Sequence, residues 1–561
     1  MCNGEWDGNT AGNREEDWVR RARSGDREAF GELVRLHRAR AFGWARSMAG
    51  DPHLAEDVVQ DALMRAFLRM GTLLDESRFV PWLKKIVHNE ARMKLRRGGP
   101  HGREHPFSGM KIEGNTHGLD PSDLEDVINW LSLRRDRDEP GMDPEVAILQ
   151  RENLEMIRVV LRCLNRRERA LFEAYFFKQL SPGEIAELLS MSRGHVYTSL
   201  HRVKEKVRRE GFRLEIRPYL QIRKEQGLMS KKRLHPPQPG GSWNSFVGAL
   251  REALGYTEGK SYSLIDLMGY TGQAFRIQVH PEDVDVAGPT AYLWKRVMEK
   301  GLANIGVQMG YCGSEIPNYE PPSAQETMDA IRMIHRSVDR GVPVIGWDLF
   351  ISEFGLIYGY DDEKEVLDAV DLEARRGLPY DRLGRGKLKE LALVTIDSRE
   401  RVEPKAALRG ALQMALEHGE GKEPAMPGYV QGTAAYASWA EAFKSGSVDP
   451  FGNAYNAAVY SDARQFATHF LLMWSSTCPE RQANPQEQLL LARAAACYAQ
   501  VGEALTELRT LFPFPSGGDP ADPGKAQAAV KLLEKAKEAE TEGLHLLEEL
   551  SGNLVEEGNI K

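Results

Sequence analysis

One stretch of the chain, RGHVYTSLHRVKEKVRR from Arg193 to Arg209, carries side chains that could read a nucleic acid. Arginine and lysine bind phosphates and guanine edges, while hydroxyl and imidazole groups can bond to base edges or phosphate oxygens. The side chains of this kind are Arg193, Tyr197, Thr198, Ser199, His201, Arg202 and Lys204. The chemistry that they predict is recognition of DNA by hydrogen bonds and charge, without bond breaking.

A helix-turn-helix pattern positions these side chains. Ser181-Pro182-Gly183-Glu184 is a capping box with proline at the first helical position, and it predicts a helix that ends near Ser190. Ser192 can cap the basic helix that follows. A basic, solvated helix on a three-helix bundle would show the same pattern. The net charge of +10 over residues 146–235 favours the DNA-binding interpretation, because it attracts phosphate.

The segment LRCLNRRERALFEAYFFKQLSPGEIAELLSMSRGHVYTSLHRVKEKVRR resembles region four of bacterial sigma factors. Earlier in the chain, REAFGELVRLHRARAFGWARSMAGDPHLAEDVVQDALMRAF and FVPWLKKIVHNEARMKLRR resemble sigma region two. Two such signatures without the extra regions of housekeeping factors are similar to the extracytoplasmic-function (ECF) group. The resemblance implies two all-α modules, at 16–97 and 145–215. It also implies two partners, promoter DNA and core RNA polymerase, the latter through its β′ coiled coil and β flap.

The resemblance also implies roles for individual residues. On the exposed face of the AEDVVQDA helix, Asp57, Gln60 and Asp61 match positions that bind core polymerase. Contacts to the minus-ten element would come from a loop and the helix after it, through Thr72, Ser77, Arg78, Lys84, Lys85, His88, Asn89, Arg92 and Lys94. In the same helix, Phe79, Trp82 and Ile86 fit core spacing better than base stacking. The minus-thirty-five contacts would be those of the basic helix described above, although Tyr197 and Ser199 stand where the family often has arginine or lysine.

The segment 98–144, between the two modules, is acidic and rich in Gly, Asn, Ser and Asp, with a net charge of −6 over residues 98–145. It is predicted to be a flexible linker. By resemblance, its carboxylates would stand in for the phosphates of a transcript in the RNA exit path. Its composition is equally that of a disordered, solubilising linker.

Composition excludes several classes of protein. The five cysteines, Cys2, Cys163, Cys312, Cys478 and Cys497, form no CxxC pair and have no histidine at ligand spacing. This spacing argues against a disulfide framework or a structural zinc site, and no metal or other cofactor is predicted. A polar N-terminus and the lack of a long apolar run predict a cytoplasmic protein with no membrane partner.

The stretch HPPQPGGS, from His235 to Ser242, marks a domain boundary, within a linker predicted at 216–241. Residues 242–561 carry short apolar runs flanked by Gly or Asp, which indicate an α+β domain, and then a predicted helical hairpin. WNSFVGALREALGY, SYSLIDLMGYTGQAFRI and GVPVIGWDLFISEFGLIYGYDDE resemble the butirosin biosynthesis acyltransferase-like proteins of papain-type fold. The fold class is therefore multidomain, with two all-α sigma modules followed by an α+β papain-like domain.

A thiol enzyme of that fold needs a cysteine at the N-terminus of its first helix and a histidine as base. The matching positions hold Asn244 or Ser245, and the segment Ser352–Phe354, so no catalytic residue is predicted. A ligand-binding cleft is predicted instead, lined by Trp243, Ser245, Trp347, Glu353 and Tyr358, with core packing as the alternative for the aromatic residues. We therefore expect an ECF sigma factor with a C-terminal ligand- or signal-sensing domain. An acyltransferase or cysteine-peptidase-like enzyme fused to a DNA-binding module, and a DNA-binding repressor, are the alternatives.

Overall fold

A computed structural model describes residues 17–22, 27–49, 52–68, 70, 79–96, 162–177, 180–259, 261–476 and 483–559. The chain divides into two units, residues 1–218 and residues 219–561. The predicted linker at 98–144 lies outside the described residues. Within the described ranges, no helix combines the length and the apolar character needed to cross a membrane.

Among the described residues of region two, three long helices and the short helical segment 17–22 pack around a common core; the long helices are α1 Arg27–Ala49, α2 Pro52–Leu68 and α3 Phe79–Arg96. Their apolar residues recur at helical spacing, so each helix presents one apolar stripe to the other two. Phe79, Trp82 and Ile86 are only 2%, 7% and 9% exposed, which confirms their predicted structural role.

Region four is built from α4 Arg166–Phe172, the π-helical turn Glu173–Phe177, α5 Pro182–Leu188 and α6 Arg193–Glu225. The predicted capping box is present. Ser181 Oγ accepts from the Glu184 amide at 3.3 Å, and Glu184 Oε2 accepts from the Ser181 amide at 2.7 Å. Ser192 Oγ likewise accepts from the His195 amide at 3.3 Å, as predicted for the cap of the basic helix.

The segment 216–241 differs from the expected linker. Helix α6 continues to Glu225, and Lys231–Arg233 forms strand β1. The physical reason is the burial of Arg223, whose guanidinium lies 3.2 Å from Asp339 and 3.6 Å from Asp362. These carboxylates hold the last turns of α6 in the second unit, which begins at Tyr219.

The second unit combines helices with an antiparallel sheet. Its helices are α7 Ser245–Leu254, α8 Leu264–Tyr270, α9 Trp294–Ala303, α10 Ala324–Asp339, α11 Pro404–Gly419, α12 Thr433–Ser445, α13 Pro450–Ser475, α14 Pro485–Leu511 and α15 Pro523–Asn559. Its strands after β1 are β2 Gln278–Val279, β3 Val307–Gly313, β4 Val344–Trp347, β5 Phe354–Asp361, β6 Val366–Val370, β7 Arg375–Pro379, β8 Ala392–Arg399 and β9 Val430–Gln431.

The main sheet has the order β3-β8-β4-β5-β6-β7, and all of its pairings are antiparallel. The short β1 pairs with the end of β5 that β4 does not cover, with Lys231 opposite Asp361. Helix α7 packs on β4 and β5, which places the N-terminus of the helix near the start of β5. The separate pair β2 and β9 forms a small second sheet.

The predicted helical hairpin is confirmed by α14 and α15, which pack against each other and against the rest of the second unit. A fully buried ion pair joins α15 to α13, because Arg464 Nη2 lies 2.7 Å from Glu540 Oε1. The hydroxyl of Tyr436 also donates to Glu540. These polar groups satisfy one another in the core, so the hairpin is an integral part of the second unit.

Candidate promoter and polymerase interfaces

Helix α6 separates its apolar and polar residues onto different faces. Val196, Leu200, Val203 and Val207 follow one another at helical spacing and are buried against α4 and α5. The residues predicted to contact DNA are therefore turned outward: Arg193, Tyr197, Thr198, His201, Arg202 and Lys204 are exposed, and Ser199 is half-buried. Tyr197, at 62% exposure, is a large ring held out of the core.

Further along α6, part of the positive charge is already paired within the protein. Lys206 lies 2.6 Å from Glu168, and Arg208 lies 3.2 Å from Glu205. Burial alone would raise the pKa of Glu168, but the hydrogen bond and charge of Lys206 outweigh it and hold that pKa below its usual value. These two cations are therefore less suited to contact phosphate than the exposed Arg202.

Helix α2 carries the predicted polymerase-binding residues. Its apolar residues Ala55, Val58, Val59 and Ala62 are buried in the region-two core. On the rest of the helix, Gln60 is exposed and Asp61 is half-buried. The side chain of Asp57 lies outside the described residues. The described part of this set is therefore a polar surface beside an apolar stripe.

Helix α3 carries the predicted minus-ten residues. Lys84 is exposed, and its Nζ lies 5.8 Å from the centroid of the Trp44 ring, while Lys85 and His88 are half-buried. Asn89, Arg92 and Lys94 lie on α3, but their side chains are outside the described residues, as are Thr72, Ser77 and Arg78. The described part of the predicted minus-ten surface therefore consists of Lys84, Lys85 and His88.

Two family models match the chain, Sigma-70 region 2 at residues 33–100 and Sigma-70, region 4 at residues 154–207. The RNA polymerase sigma factor NccH of Alcaligenes xylosoxydans is 30% identical over 194 residues, which cover 34% of this chain and 92% of that protein. The ECF RNA polymerase sigma factor SigW of Bacillus subtilis is 24% identical over 192 residues, covering 34% of this chain and 94% of that protein. The RNA polymerase sigma-H factor of Pseudomonas aeruginosa is 25% identical over 194 residues, covering 35% and 92%.

The chain belongs to the sigma-70 family. It is an ECF RNA polymerase sigma factor, as its two matched regions and its relatives show. Sigma factors interact with core RNA polymerase and with promoter DNA. About a third of this sigma factor aligns with nearly the whole length of those three relatives, so most of the present chain lies beyond those alignments.

In the second unit of this sigma factor, two residues of the predicted cleft come together. Ser245 is the first residue of α7, and Glu353 directly precedes β5. The hydroxyl of Ser245 donates to Glu353 Oε2 at 2.5 Å and accepts from the Phe354 amide at 3.1 Å. Burial raises the pKa of Glu353, and hydrogen bonds from Ser245 and Tyr455 oppose this shift.

Two residues that sequence reasoning missed, Tyr455 and Gln273, complete this site together with Asn244 and the predicted cleft residue Trp243. The hydroxyl of Tyr455 donates to Glu353 Oε1, although Tyr455 is 102 residues further along the chain. Asn244 caps α7 through its contact with the Val247 amide, and it donates to Gln273 Oε1 at 3.1 Å. Trp243 packs against Tyr455 with ring centroids 6.2 Å apart. No local motif marks Tyr455 or Gln273, so only the folded chain could identify them.

The other two predicted cleft residues lie elsewhere. Trp347 is 3% exposed and packs against Trp294 and Phe354, with ring centroids 4.8 and 4.9 Å away. Tyr358 is 1% exposed, and its hydroxyl accepts from Arg233 on β1 at 3.1 Å. Both residues are part of the hydrophobic core, which was the alternative considered for them.

Cys312 lies on β3. Burial raises the pKa of its thiol to about 11, and the carboxylates of Asp329 and Glu326 add to the shift. A thiol with this pKa is protonated at neutral pH and is a poor nucleophile. Within the described ranges, no group of three or more His, Cys, Asp or Glu residues is arranged to hold a metal ion.

Proposed function

We propose that region two of this sigma factor binds the β′ coiled coil of core polymerase through the polar surface of α2, formed by Asp57, Gln60 and Asp61. The exposure of Gln60 and the partial exposure of Asp61 beside a buried apolar stripe support this assignment. An acidic surface on a rigid helix suits a basic partner, because charge complementarity speeds association and fixes orientation.

Co-purification of the full chain with core polymerase tests this surface. Asp61→Arg should weaken binding while leaving α2 folded. Glu56→Arg is the matched control, because it makes the same change of charge on the same helix. Glu56 precedes Asp61 by five residues and therefore points about 140° away from it around the helix axis. The control breaks only an exposed pair with Arg38, which is worth little. If a folded Asp61→Arg protein bound core polymerase as well as the unaltered protein does, the proposed role of Asp61 would be contradicted.

We further propose that α3 contacts the minus-ten element and that α6 reads the minus-thirty-five element. The observation that supports this best is the outward face of α6, where hydrogen-bonding and cationic side chains stand opposite a buried valine and leucine stripe. A recognition helix preceded by a capped helix and a short turn is the arrangement that places base-reading side chains in the major groove. The β flap would be the partner of region four in polymerase.

For the second unit we propose a papain-like, non-catalytic domain that regulates the sigma module by binding a ligand beside Ser245 and Glu353. The positions of these residues support the resemblance, because one begins the helix and the other precedes the strand where a thiol enzyme holds its cysteine and histidine. The residues around Glu353 include the half-buried Trp243, Asn244 and Tyr455, so the site reaches the surface. Among the described residues, no lysine, arginine or histidine is ion-paired with Glu353, so a ligand that donates hydrogen bonds or carries positive charge suits it.

The same geometry argues against acyl transfer. Ser245 is 6% exposed, and its oxygen is held by both Glu353 and the Phe354 amide. A carboxylate is a much weaker base than the alkoxide that it would have to generate, and hydrogen bonds from two hydroxyls lower its basicity further. The serine therefore acts as a support for Glu353.

In vitro transcription with core polymerase tests the regulatory role. The full chain should be compared with residues 1–218, which end at the boundary between the units. We expect transcription to change, upward if the second unit inhibits and downward if it activates. Equal transcription by the two proteins would argue against regulation. Labelling of the full chain by an acyl-type probe, lost in Ser245→Ala, would contradict the proposal that the site is inert.

A further inference from the structure

A pocket of about 310 Å³ in the second unit is lined by helices α9 and α11 and by the turn that follows α11. Five of the side chains that line it carry charge: Arg296, Lys300, Glu417, Lys422 and Glu423. The volume is at the lower end of the range for small-molecule sites, about 300–1,000 Å³. We propose that this pocket binds a small organic anion, whose charged group is held by the guanidinium of Arg296. The described residues that line it do not include Ser245 or Glu353, so the inference does not depend on the ligand proposed there.

Glu423, one of the two carboxylates in the lining, is already neutralised within the protein. Its oxygens lie 3.1 and 2.6 Å from the two terminal nitrogens of Arg276, and its Oε1 lies 2.7 Å from Nδ1 of His418. Burial alone would raise the pKa of Glu423, but the hydrogen bond of His418 and the charge of Arg276 hold that pKa well below its usual value. The Arg276 side chain is only 5% exposed, so solvent screens its charge poorly. Glu423 therefore repels an anion in the pocket only weakly.

The two lysines of the lining are paired with glutamates at the surface. Nζ of Lys300 bonds to Glu417 Oε2, and Nζ of Lys422 lies 2.5 Å from Glu420 Oε2. Both lysines are exposed, and ion pairs of exposed side chains are weak. A lysine ammonium has three donors, so it can bind a ligand while it keeps its carboxylate partner. The lysines therefore supply secondary contacts to an anion.

Arg296 is the cation of the lining that is left for a ligand. It is exposed, and among the described residues none forms an ion pair with it. The planar guanidinium presents a fork of donors that fits a carboxylate or a phosphate group with two parallel bonds. Three cations line the pocket against two carboxylates, and each of those carboxylates has a cationic partner. The pocket therefore attracts an anion, although residues 236–561 together carry a net charge of −15.

The rest of the lining indicates that the anion has an apolar part. Leu293 and Val297 of the α9 segment and Met414 of α11 face the pocket. Leu293 is half-buried, while Val297 and Met414 are 6% and 5% exposed. Apolar surface of this kind is covered favourably by a hydrocarbon group and not by an inorganic ion. The ligand class is therefore a carboxylate or phosphate ester with a short apolar body.

Calorimetric titration of the full chain with three simple probes tests the ligand class. Phenyl phosphate and benzoate each combine an anionic group with an apolar ring, and benzyl alcohol is an uncharged counterpart. We expect saturable binding of at least one of the two anions and much weaker binding of benzyl alcohol. The better of the two anions assigns the charged group as phosphate or carboxylate. If neither anion binds, or if benzyl alcohol binds as tightly, the proposal is overturned.

Replacement of Arg296 tests where the anion binds. Arg296→Gln should weaken binding of the preferred anion by about 10-fold or more, the effect of losing a charge-assisted hydrogen bond. Lys295→Gln is the matched control, because Lys295 is the exposed neighbour on α9 and does not line the pocket. Circular dichroism should show both variants folded. Equal affinities for folded Arg296→Gln and Lys295→Gln proteins would overturn the site.

Replacement of Glu417 should change the affinity in the opposite direction. Glu417→Gln removes a negative charge from the lining and releases Lys300 from its partner. We expect the affinity for the anion to rise by about 2- to 5-fold, as is typical for one exposed charge interaction. A fall in affinity would contradict a pocket that selects anions. Since this test looks for a gain, a variant that merely fails to fold cannot imitate the expected result.

Replacement of Glu353 separates this pocket from the site proposed beside Ser245. A folded Glu353→Gln protein should bind the anion as the unaltered chain does. Loss of anion binding in this variant would place the anion beside Ser245 and overturn the pocket. Regulation by a ligand beside Ser245 can fail without any effect on these titrations, so the two proposals are tested independently.

Discussion

The two ends of helix α6 use arginine in opposite ways. Arg202, near the start, is exposed on the face predicted to meet DNA. Arg223, near the end, has a side chain that is 6% exposed, bonds to the Tyr360 hydroxyl at 2.9 Å and lies between two aspartates. The donors of an exposed arginine remain available to a binding partner, whereas those of a buried arginine bond to other groups of the same fold. Residue type alone therefore does not distinguish a binding surface from a structural anchor.

Replacement of the buried Arg223 should change the free energy of unfolding more than replacement of the exposed Arg202. Arg223→Leu would leave Asp339 and Asp362 without their cation, and loss of one partner of a buried pair costs about 3–5 kcal/mol. We expect the free energy of unfolding of the second unit to fall by this amount in a denaturant titration followed by tryptophan fluorescence. A loss below about 1 kcal/mol would show that the guanidinium is not an anchor.

Removal of the exposed arginine should affect DNA binding and leave stability unchanged. Arg202→Ala should weaken binding to the cognate minus-thirty-five element by about 1–3 kcal/mol if the guanidinium reads a base edge. Its effect on unfolding should stay within about 0.5 kcal/mol, as for other surface substitutions. Titration of promoter variants against salt measures this. An equal loss on all sequences would identify Arg202 as a phosphate contact instead.

The anchor of Arg223 also contains a histidine, which makes a smaller, pH-dependent contribution. His335 accepts or donates a hydrogen bond at 2.8 Å with Tyr219, and its other ring nitrogen lies 3.1 Å from Asp362 and 3.2 Å from Tyr380. Burial lowers the pKa of His335, and the nearby Arg223 adds to this, while Asp362 and Asp339 oppose it. In the folded protein the imidazole is therefore neutral at pH values where an unfolded histidine is already protonated.

Stability of the second unit should consequently fall as the pH falls below about 6.5, the pKa of an unfolded histidine. The unfolded state then binds the extra proton, and the slope for one group cannot exceed about 1.4 kcal/mol per pH unit. Denaturant unfolding between about pH 5 and pH 8 would measure it. His335→Gln, which stays neutral, should show a shallower slope, and an identical slope in both proteins would assign the titration to other groups.

Local signals in the sequence predicted the sigma module well. The capping box at Ser181 and the cap at Ser192 each depend on residues within three positions of each other. The local sequence alone is therefore enough to predict these helix starts. The end of α6 was missed because the partners of Arg223 follow 116 and 139 residues later, at Asp339 and Asp362. Trp347 was predicted to line a cleft but is buried. The prediction was wrong because an apolar run flanked by glycine is typical both of a core strand and of a strand that lines a cleft. The link from Glu353 to Tyr455 has no local signature at all.

The pairing of β1 with β5 has a consequence for how the chain is made. Lys231 leaves the ribosome about 130 residues before its register partner Asp361. At a synthesis rate of about 5–20 residues per second, that interval is roughly 6 to 26 s. During this time the sigma module is already complete. Residues 219–233, however, lack their partners in strand β5 and helix α10, which have not yet been synthesised. The nascent chain therefore carries a complete promoter-recognition module before the strand that pairs with β1 has been synthesised.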